Sequence, residues 1–165
     1  IQKITPIQHS FQTTPTLLYP GCGCDILIPL LFIEKLLPKL SEINLLFVDH
    51  KDNFDLIKTV LDDIDISFSE NNNILSFYWH NCLVSLTFTQ GDVFTMPLPQ
   101  FHIYFERAFR IMKDADQTYE QRIYQQLSSD GLLISDSGFQ NLSLTRISIP
   151  LELSAYQEMI AGIKR

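Results

Sequence analysis

The stretch Leu17-Leu18-Tyr19-Pro20-Gly21-Cys22-Gly23-Cys24-Asp25 decides how the rest of the chain is interpreted. It is followed at once by the apolar run Ile26-Leu27-Ile28-Pro29-Leu30-Leu31-Phe32-Ile33. An apolar segment, a turn with two glycines and a second apolar segment predict a short buried strand, a tight turn and a helix. Because glycine has no Cβ, such a turn lets the backbone approach a bound molecule at the start of the helix. The alternative is a tight turn that binds nothing.

The size and composition of the chain predict a single domain. The chain has 165 residues and is 45% hydrophobic, which is enough for one full core. Residues 1–15 contain prolines and polar residues with little periodicity, so we expect an irregular N-terminal arm that reaches a bound ligand. The first residue is Ile1 rather than Met, which leaves open whether the natural N-terminus is complete.

Charge and hydropathy disfavour two classes of partner. The formal net charge is −7, and the segment 49–70 carries seven acidic and two basic residues. No basic patch is present, so nucleic-acid binding is disfavoured. The apolar run from Ile26 to Leu37 contains Pro29, Glu34 and Lys35 and is shorter than the roughly 20 residues of a bilayer span. We therefore expect a buried helix and no membrane insertion.

Three cysteines, Cys22, Cys24 and Cys82, indicate reduced thiols. The count is odd and no signal-peptide pattern precedes them, which favours a cytoplasmic protein. The pair Cys22 and Cys24 with a histidine is a zinc alternative, but no second cysteine pair accompanies it. We expect no metal site.

The remaining chain alternates strands and helices, which is typical of an α/β fold. Continuous apolar runs predict buried parallel strands, a hairpin is predicted at 74–89, and the end of the chain predicts an antiparallel strand pair. The pattern thus predicts a doubly wound, mostly parallel sheet with an inserted hairpin. The predicted strands cover residues 17–19, 44–49, 74–79, 83–89, 101–105, 132–135, 142–149 and 156–163, and helices follow Asp25, Asp52 and Asp116, the last with Tyr119, Ile123 and Leu127 on one face.

From Leu17 to Arg165 the sequence resembles the S-adenosylmethionine-dependent methyltransferases of the Rossmann-like class. That family has an acid-x-Gly-x-Gly-x-Gly motif after its first strand, an acid at the end of the second strand and another after the third. The matching positions here are Gly21 and Gly23, then Asp49, then Asp92. The resemblance implies S-adenosylmethionine as the cofactor, with the glycines facing it.

The resemblance also implies roles for the acids. A carboxylate at the end of a strand can accept hydrogen bonds from both ribose hydroxyls, which is the role implied for Asp49. Asp92 would accept from the adenine amino group, with Val93 or Phe94 packing on the ring. The alternatives are an N-cap or solvated strand end for Asp49 and a turn aspartate for Asp92.

The sequence departs from the family pattern at three places. Tyr19 stands where the family has its first acid, and Asp25 stands where it has its third glycine. We expect Tyr19 to contact the methionine end of the cofactor instead. After the fourth strand the chain reads Phe105-Glu106-Arg107, which is not the catalytic sequence of amino-group methyltransferases. Glu106 is a candidate general base, with a structural salt bridge to Arg107 or Arg110 as the alternative.

Three functions follow from this pattern. The first is a methyltransferase acting on a small-molecule acceptor, with the acceptor placed between the 1–15 arm, the 97–101 loop and the 106–110 turn. The second is a catalytically degenerate protein of the same fold that binds the cofactor or a protein partner. The third is a nicotinamide-dependent oxidoreductase, which is disfavoured because Ile26 stands three positions after Gly23, where that fingerprint has glycine.

Overall fold

The computed structural model of the chain describes residues 1–140, 142–154 and 157–165. Within them the helices are α1 (Leu27–Leu36), α2 (Phe54–Asp63), α3 (Arg110–Asp114) and α4 (Tyr119–Gln126), and a 3₁₀ turn covers Leu151–Leu153. The strands are β1 (Thr16–Pro20), β2 (Glu42–Asp49), β3 (Phe68–Asn71), β4 (Ile74–Trp79), β5 (Cys82–Gln90), β6 (Phe101–Glu106), β7 (Leu127–Ser135), β8 (Leu144–Ile147) and β9 (Ile160–Lys164). These strands form one sheet in the order β3-β4-β5-β2-β1-β6-β7-β9-β8.

The middle of the sheet is parallel and doubly wound, which confirms the predicted fold class. β1 pairs in parallel with β2 on one side and β6 on the other, and β5 and β7 extend the parallel set. Leu17 and Leu18 in β1 are fully buried, as expected for a strand covered on both faces. The chain crosses to one side of β1 and then to the other. In open α/β sheets ligands bind at such a switch point, outside the carboxyl ends of the strands.

Antiparallel strands complete both sides of the sheet. The predicted hairpin is confirmed as β4 and β5, and the predicted C-terminal pair is confirmed as β8 and β9, with β9 also antiparallel to β7. The short strand β3 was not predicted because its sequence Phe-Ser-Glu-Asn is mostly polar and exposed. The last strand was predicted to begin at Tyr156, which lies outside the described residues, and β9 begins at Ile160.

The helices pack their apolar faces on the sheet. Leu30, Ile33 and Leu36 of α1 and Ile57 and Leu61 of α2 are buried, which agrees with the predicted helical spacing. The acidic face of α2, with Asp55, Asp62 and Asp63, is exposed as predicted.

The prediction for the helix after Asp116 was wrong at both ends. α4 begins at Tyr119, and Leu127 is the first residue of β7 rather than the last on the helical face. Leu127 pairs with Phe101 of β6, and the Ser128 hydroxyl donates to the Phe101 carbonyl at 2.9 Å. Sheet pairing thus begins at Leu127, four residues before Gly131, whereas the segment 128–131 was expected to end the helix.

Residues 7–11 of the N-terminal arm lie at the amino edge of the sheet, away from the acceptor site expected at the carboxyl edge, whereas Lys3 contacts Glu152 at 2.9 Å. The Ile7 N–H donates to the carbonyl of Leu36, at the end of α1, at 2.9 Å. The Phe11 ring contacts the edge of His102, the second residue of β6, with centroids 5.9 Å apart. None of the helices in the described ranges is both long and apolar enough to cross a bilayer.

Candidate functional site

The glycine turn lies at the carboxyl end of β1, beside the end of β2. Gly21 and Gly23 have φ values of 60° and 54°, a left-handed conformation that favours glycine. The Gly21 N–H donates to the carbonyl of Val48 at 2.8 Å. The turn is therefore fixed to the neighbouring strand as well as to β1.

Asp49, the last residue of β2, also binds this turn. Its side chain is 7% exposed, and its Oδ2 accepts a hydrogen bond from the Gly23 N–H at 2.8 Å. Its Oδ1 accepts from the Lys51 N–H at 3.0 Å and lies 3.0 Å from Nδ1 of His50. The carboxylate thus links the glycine turn to the segment that follows β2.

A pocket of about 350 Å³ opens at this edge and brings together four of the predicted site residues, Gly21, Asp49, Asp92 and Val93. Gly23 and Tyr19 do not line it. Val93 is 5% exposed, and the Asp92 Oδ1 accepts from the Phe94 N–H at 2.9 Å, as a turn aspartate does. The other lining residues are Val48, His50, Gly91, Phe94, Phe109 and Met112.

Phe109 was not predicted and forms one wall of the pocket. A Cβ at Gly21 would lie 2.7 Å from its ring, and the ring stacks on Phe94 with centroids 5.6 Å apart and planes 6° apart. Its position depends on Ala108, whose φ is 51°, because this left-handed residue turns the chain. Asp136 accepts the Ala108 N–H with both oxygens, at 2.9 and 3.1 Å. No local pattern around Phe109 reveals this conformation.

Tyr19 and Asp25, the two residues that differ from the glycine motif of the family, are in direct contact. The Tyr19 hydroxyl donates to Oδ2 of Asp25 at 3.0 Å, and the Arg107 guanidinium donates to the same oxygen at 2.8 Å. Tyr19 is 2% exposed, and burial raises the pKa of its phenol. Asp25 was also expected to be the N-cap of the helix after the turn, but the N-cap position of α1 is Ile26; the Asp25 Oδ1 accepts from the Ile28 N–H in the first turn at 3.3 Å.

Glu106 is fully buried in a hydrogen-bond network. Its Oε1 accepts from Nζ of Lys113 at 2.6 Å and from the hydroxyls of Ser135 and Ser137 at 2.5 and 2.6 Å. Its Oε2 accepts from the Tyr104 hydroxyl at 2.6 Å. Burial raises the pKa of the Glu106 carboxyl, whereas Lys113 opposes that shift. A carboxylate with four donors and no exposure is placed for structure rather than for contact with a substrate.

The salt bridges differ from those predicted for this turn. The expected partners of Glu106, Arg107 and Arg110, bind elsewhere: Arg107 pairs with Asp25, and Arg110 contacts Glu158 at 2.6 Å. The partner of Glu106 is Lys113 of α3, a helix that no pattern in the sequence predicted.

Two further hollows lie at the amino edge, of about 340 and 550 Å³. Neither adjoins a glycine turn. The first contains Glu34, whose carboxylate already accepts from the Trp79 indole at 3.2 Å and from Lys35 at 2.8 Å. Across residues 1–140, 142–154 and 157–165, no three His, Cys, Asp or Glu side chains converge as a metal site would require.

Comparison with known proteins supports a single fold. No protein-family model and no curated protein matches the chain. Among solved structures, a protein of Methanococcus maripaludis provisionally assigned as an S-adenosylmethionine-dependent methyltransferase is 15% identical with a TM-score of 0.54, over 92% of this chain and 78% of that one.

Two Bacillus proteins align with lower scores. The YcgJ protein of Bacillus subtilis is 17% identical with a TM-score of 0.46, over 74% of this chain and 43% of that one. A provisionally assigned methyltransferase of Bacillus halodurans is 14% identical with a TM-score of 0.48, over 80% and 49%. The chain spans less than half the length of these two proteins. The similarity to the Methanococcus maripaludis protein shows that this chain has the fold of the class I S-adenosylmethionine-dependent methyltransferases, as its glycine motif and acids predicted.

Proposed function

We propose that this protein binds S-adenosylmethionine at the carboxyl edge of its sheet and transfers the methyl group to a small-molecule acceptor. The observation that supports this most is that Gly21, Asp49, Asp92 and Val93 line one pocket. These four residues lie at the carboxyl ends of the adjacent parallel strands β1, β2 and β5, which is the edge at which open α/β sheets bind ligands. We further propose that residues 1–165 act as a single domain in the cytoplasm.

The chemistry of the pocket fits a ribose. A carboxylate has about four acceptor positions, and at Asp49 the N–H groups of Gly23 and Lys51 use two of them. A third faces His50, whose side chain is 71% exposed and is therefore free to rotate into solvent. Two acceptor positions then remain for two hydroxyl groups. The pocket volume of about 350 Å³ also lies within the range of small-molecule sites.

The rest of the pocket fits a flat, mostly apolar ring with a polar edge. Val93 and Phe94 provide apolar contact, and the exposed Asp92 retains acceptor capacity beyond its bond to the Phe94 N–H. We propose that these residues bind the adenine. Phe109 covers Gly21, so we propose that a longer ligand extends from the pocket along the open side of the turn, toward Gly23, where an added Cβ would meet no atom within 4 Å.

The residues of the chain would act by positioning. When bound, S-adenosylmethionine supplies an electrophilic methyl group on a sulfonium. Asp49 would fix the ribose, Val93 would fix the ring, and the backbone of the glycine turn would set the direction of the remainder. Holding two reactants in line can by itself account for a large rate enhancement, so an acid or base is not required for every acceptor.

Titration of the pure protein with S-adenosylmethionine, S-adenosylhomocysteine and NAD tests this proposal. We expect both adenosyl ligands to bind and Asp49→Asn to weaken them by about 1.5–3 kcal/mol, because a charge-assisted hydrogen bond is lost. Asn is preferred to Ala because its amide oxygen still accepts one backbone N–H. Asp63→Asn, on the exposed face of α2, is the matched control. Binding of NAD alone, or equal affinity in the Asp49 and Asp63 variants, would contradict the proposal.

A second candidate is a protein of this fold that binds the cofactor or a protein partner without turnover. The burial of Glu106 favours it, because the one acid predicted as a base is bound to Lys113 and three hydroxyl groups. The ring of Phe109 also favours this candidate, because it covers Gly21 of the glycine turn. Incubation with a panel of small nucleophiles, followed by quantification of S-adenosylhomocysteine, separates the two candidates. Binding without any product under saturating cofactor would favour the second.

A further inference from the structure

Asp25 and Arg107 form an ion pair next to the glycine turn, and neither residue lines the pocket described above. Asp25 follows Gly23 by two residues, and Arg107 follows β6 and precedes Phe109 by two residues. Their side chains are 25% and 40% exposed, so both charges are accessible to a molecule in solution. The turn that borders the pocket at Gly21 therefore continues directly to a charged pair.

In this chain the carboxylate lies after the glycine turn, at Asp25, and not at the acid position of the motif. Tyr19 stands at the acid position and is neutral, since burial raises the pKa of its phenol. Its hydroxyl donates to Asp25 at 3.0 Å, so the strand position now orients a carboxylate on the loop. An acid alone would attract only a cation. The guanidinium of Arg107, 2.8 Å from Asp25, adds a charge of opposite sign.

We propose that Asp25 and Arg107 bind the two charges of an amino-acid group, the ammonium on Asp25 and the carboxylate on Arg107. This inference rests on the proposed function and assigns the residues that select the amino-acid end of the ligand. A guanidinium has five N–H donors, and one nitrogen is used on Asp25. Arginine also binds carboxylates in a bidentate geometry, which gives the carboxylate of the ligand a role in recognition.

Charge balance favours this arrangement. Without a ligand, the two side chains neutralise each other in a partly exposed ion pair, which contributes little to stability. A zwitterionic ligand replaces that one contact with two of opposite sign, so no net charge is buried. A ligand that lacks either group leaves one side chain without its new partner. We therefore expect the ammonium of the ligand to bind Asp25 and its carboxylate to bind Arg107.

The test compares three uncharged-sulfur ligands that share the adenosyl half: S-adenosylhomocysteine, its decarboxylated form and 5′-methylthioadenosine, which lacks the amino-acid end. In the wild type we expect affinity to fall in that order. Arg107→Met should reduce the preference for S-adenosylhomocysteine over the decarboxylated form by roughly tenfold to a hundredfold. Asp25→Asn should reduce the preference for the decarboxylated form over 5′-methylthioadenosine by a similar factor.

Controls separate this role from a structural one. Neither variant should change the affinity for 5′-methylthioadenosine, and Arg146→Met, at an exposed position of β8, should change none of the ratios. The exchanged double variant, Asp25→Arg with Arg107→Asp, can restore the ion pair but inverts the order of charges along the turn. We expect it to lose the preference for S-adenosylhomocysteine over its decarboxylated form. Because arginine at position 25 cannot accept the hydrogen bonds of the Tyr19 hydroxyl and the Ile28 N–H, circular dichroism must first show that this variant is folded.

Two results would overturn the inference, and they differ. If the wild type binds none of the three ligands, the proposed function fails and the inference fails with it. If the wild type binds all three, while the variants leave the affinity ratios unchanged or weaken all ligands equally, the proposed function stands and Asp25 and Arg107 form only a structural ion pair.

Discussion

Replacement of Gly21 by alanine tests whether the turn and Phe109 are packed as the structure shows. Two costs apply. Gly21 has a φ of 60°, and a left-handed non-glycine residue costs about 1–2 kcal/mol. A Cβ at this position would lie 2.7 and 2.9 Å from two ring carbons of Phe109, and overpacking of this kind costs about 1–3 kcal/mol. A gain of about 0.4–1 kcal/mol from a less flexible unfolded chain offsets part of this. The net loss expected is about 1–4.5 kcal/mol.

Gly23→Ala provides the matched control. Gly23 has nearly the same φ of 54°, but no atom lies within 4 Å of its added Cβ. It should lose only the conformational part, about 0–1.5 kcal/mol. The difference between the two variants isolates the contact with Phe109.

Urea unfolding measures both free energies, with circular dichroism and the fluorescence of Trp79 as independent probes of one transition. In the double variant Gly21→Ala with Phe109→Leu, the shorter side chain should relieve the overlap, so that the two substitutions are less than additive. Equal losses for Gly21→Ala and Gly23→Ala, or additive losses in the double variant, would show that Phe109 does not lie against Gly21.

Two more predictions concern buried and exposed groups. Lys113→Met should lower the free energy of unfolding by about 3–5 kcal/mol, measured by thermal unfolding, because Glu106 is left buried without its cation. Burial raises the folded-state pKa of Glu106, so this variant should be more stable at pH 5 than at pH 8. A stability that does not change with pH would contradict the assignment. Cys24 is exposed, whereas burial raises the pKa of Cys22 and raises that of Cys82 to about 11. A thiol reagent at pH 8 should therefore modify Cys24 first, as peptide mapping will show; equally fast labelling of Cys22 would contradict it.

The sequence predicted the features of the fold that depend on local patterns. Continuous apolar runs identified β1 and β2, and two glycines between apolar segments identified the turn, because buried strands need apolar residues and tight turns need glycine. The sequence of β3 has neither signal. Its side chains are polar, and pairing with β4 rather than burial makes it a strand.

The candidate site could be predicted only in part for a related reason. Asp49 ends β2 and Asp92 follows β5, so the edge of the sheet on which they lie could be derived from strand direction alone. Phe109 and Arg107 reach the site through Ala108, whose left-handed conformation is held by Asp136 from the next strand. A long-range hydrogen bond that sets a backbone angle is invisible to periodicity and spacing.

The same segment explains why Glu106 was a reasonable but misleading candidate. A carboxylate at the end of a strand beside a ligand site can act chemically as a general base, and only the residues around it decide whether it does. Here α3 brings Lys113 under the sheet end, while Ser135 and Ser137 donate from the adjacent strand and turn. Burial of Glu106 fixes the turn that follows it, and that turn presents Arg107 to Asp25. The hydrogen bonds of Glu106 therefore help to set the position of its chain neighbour, Arg107.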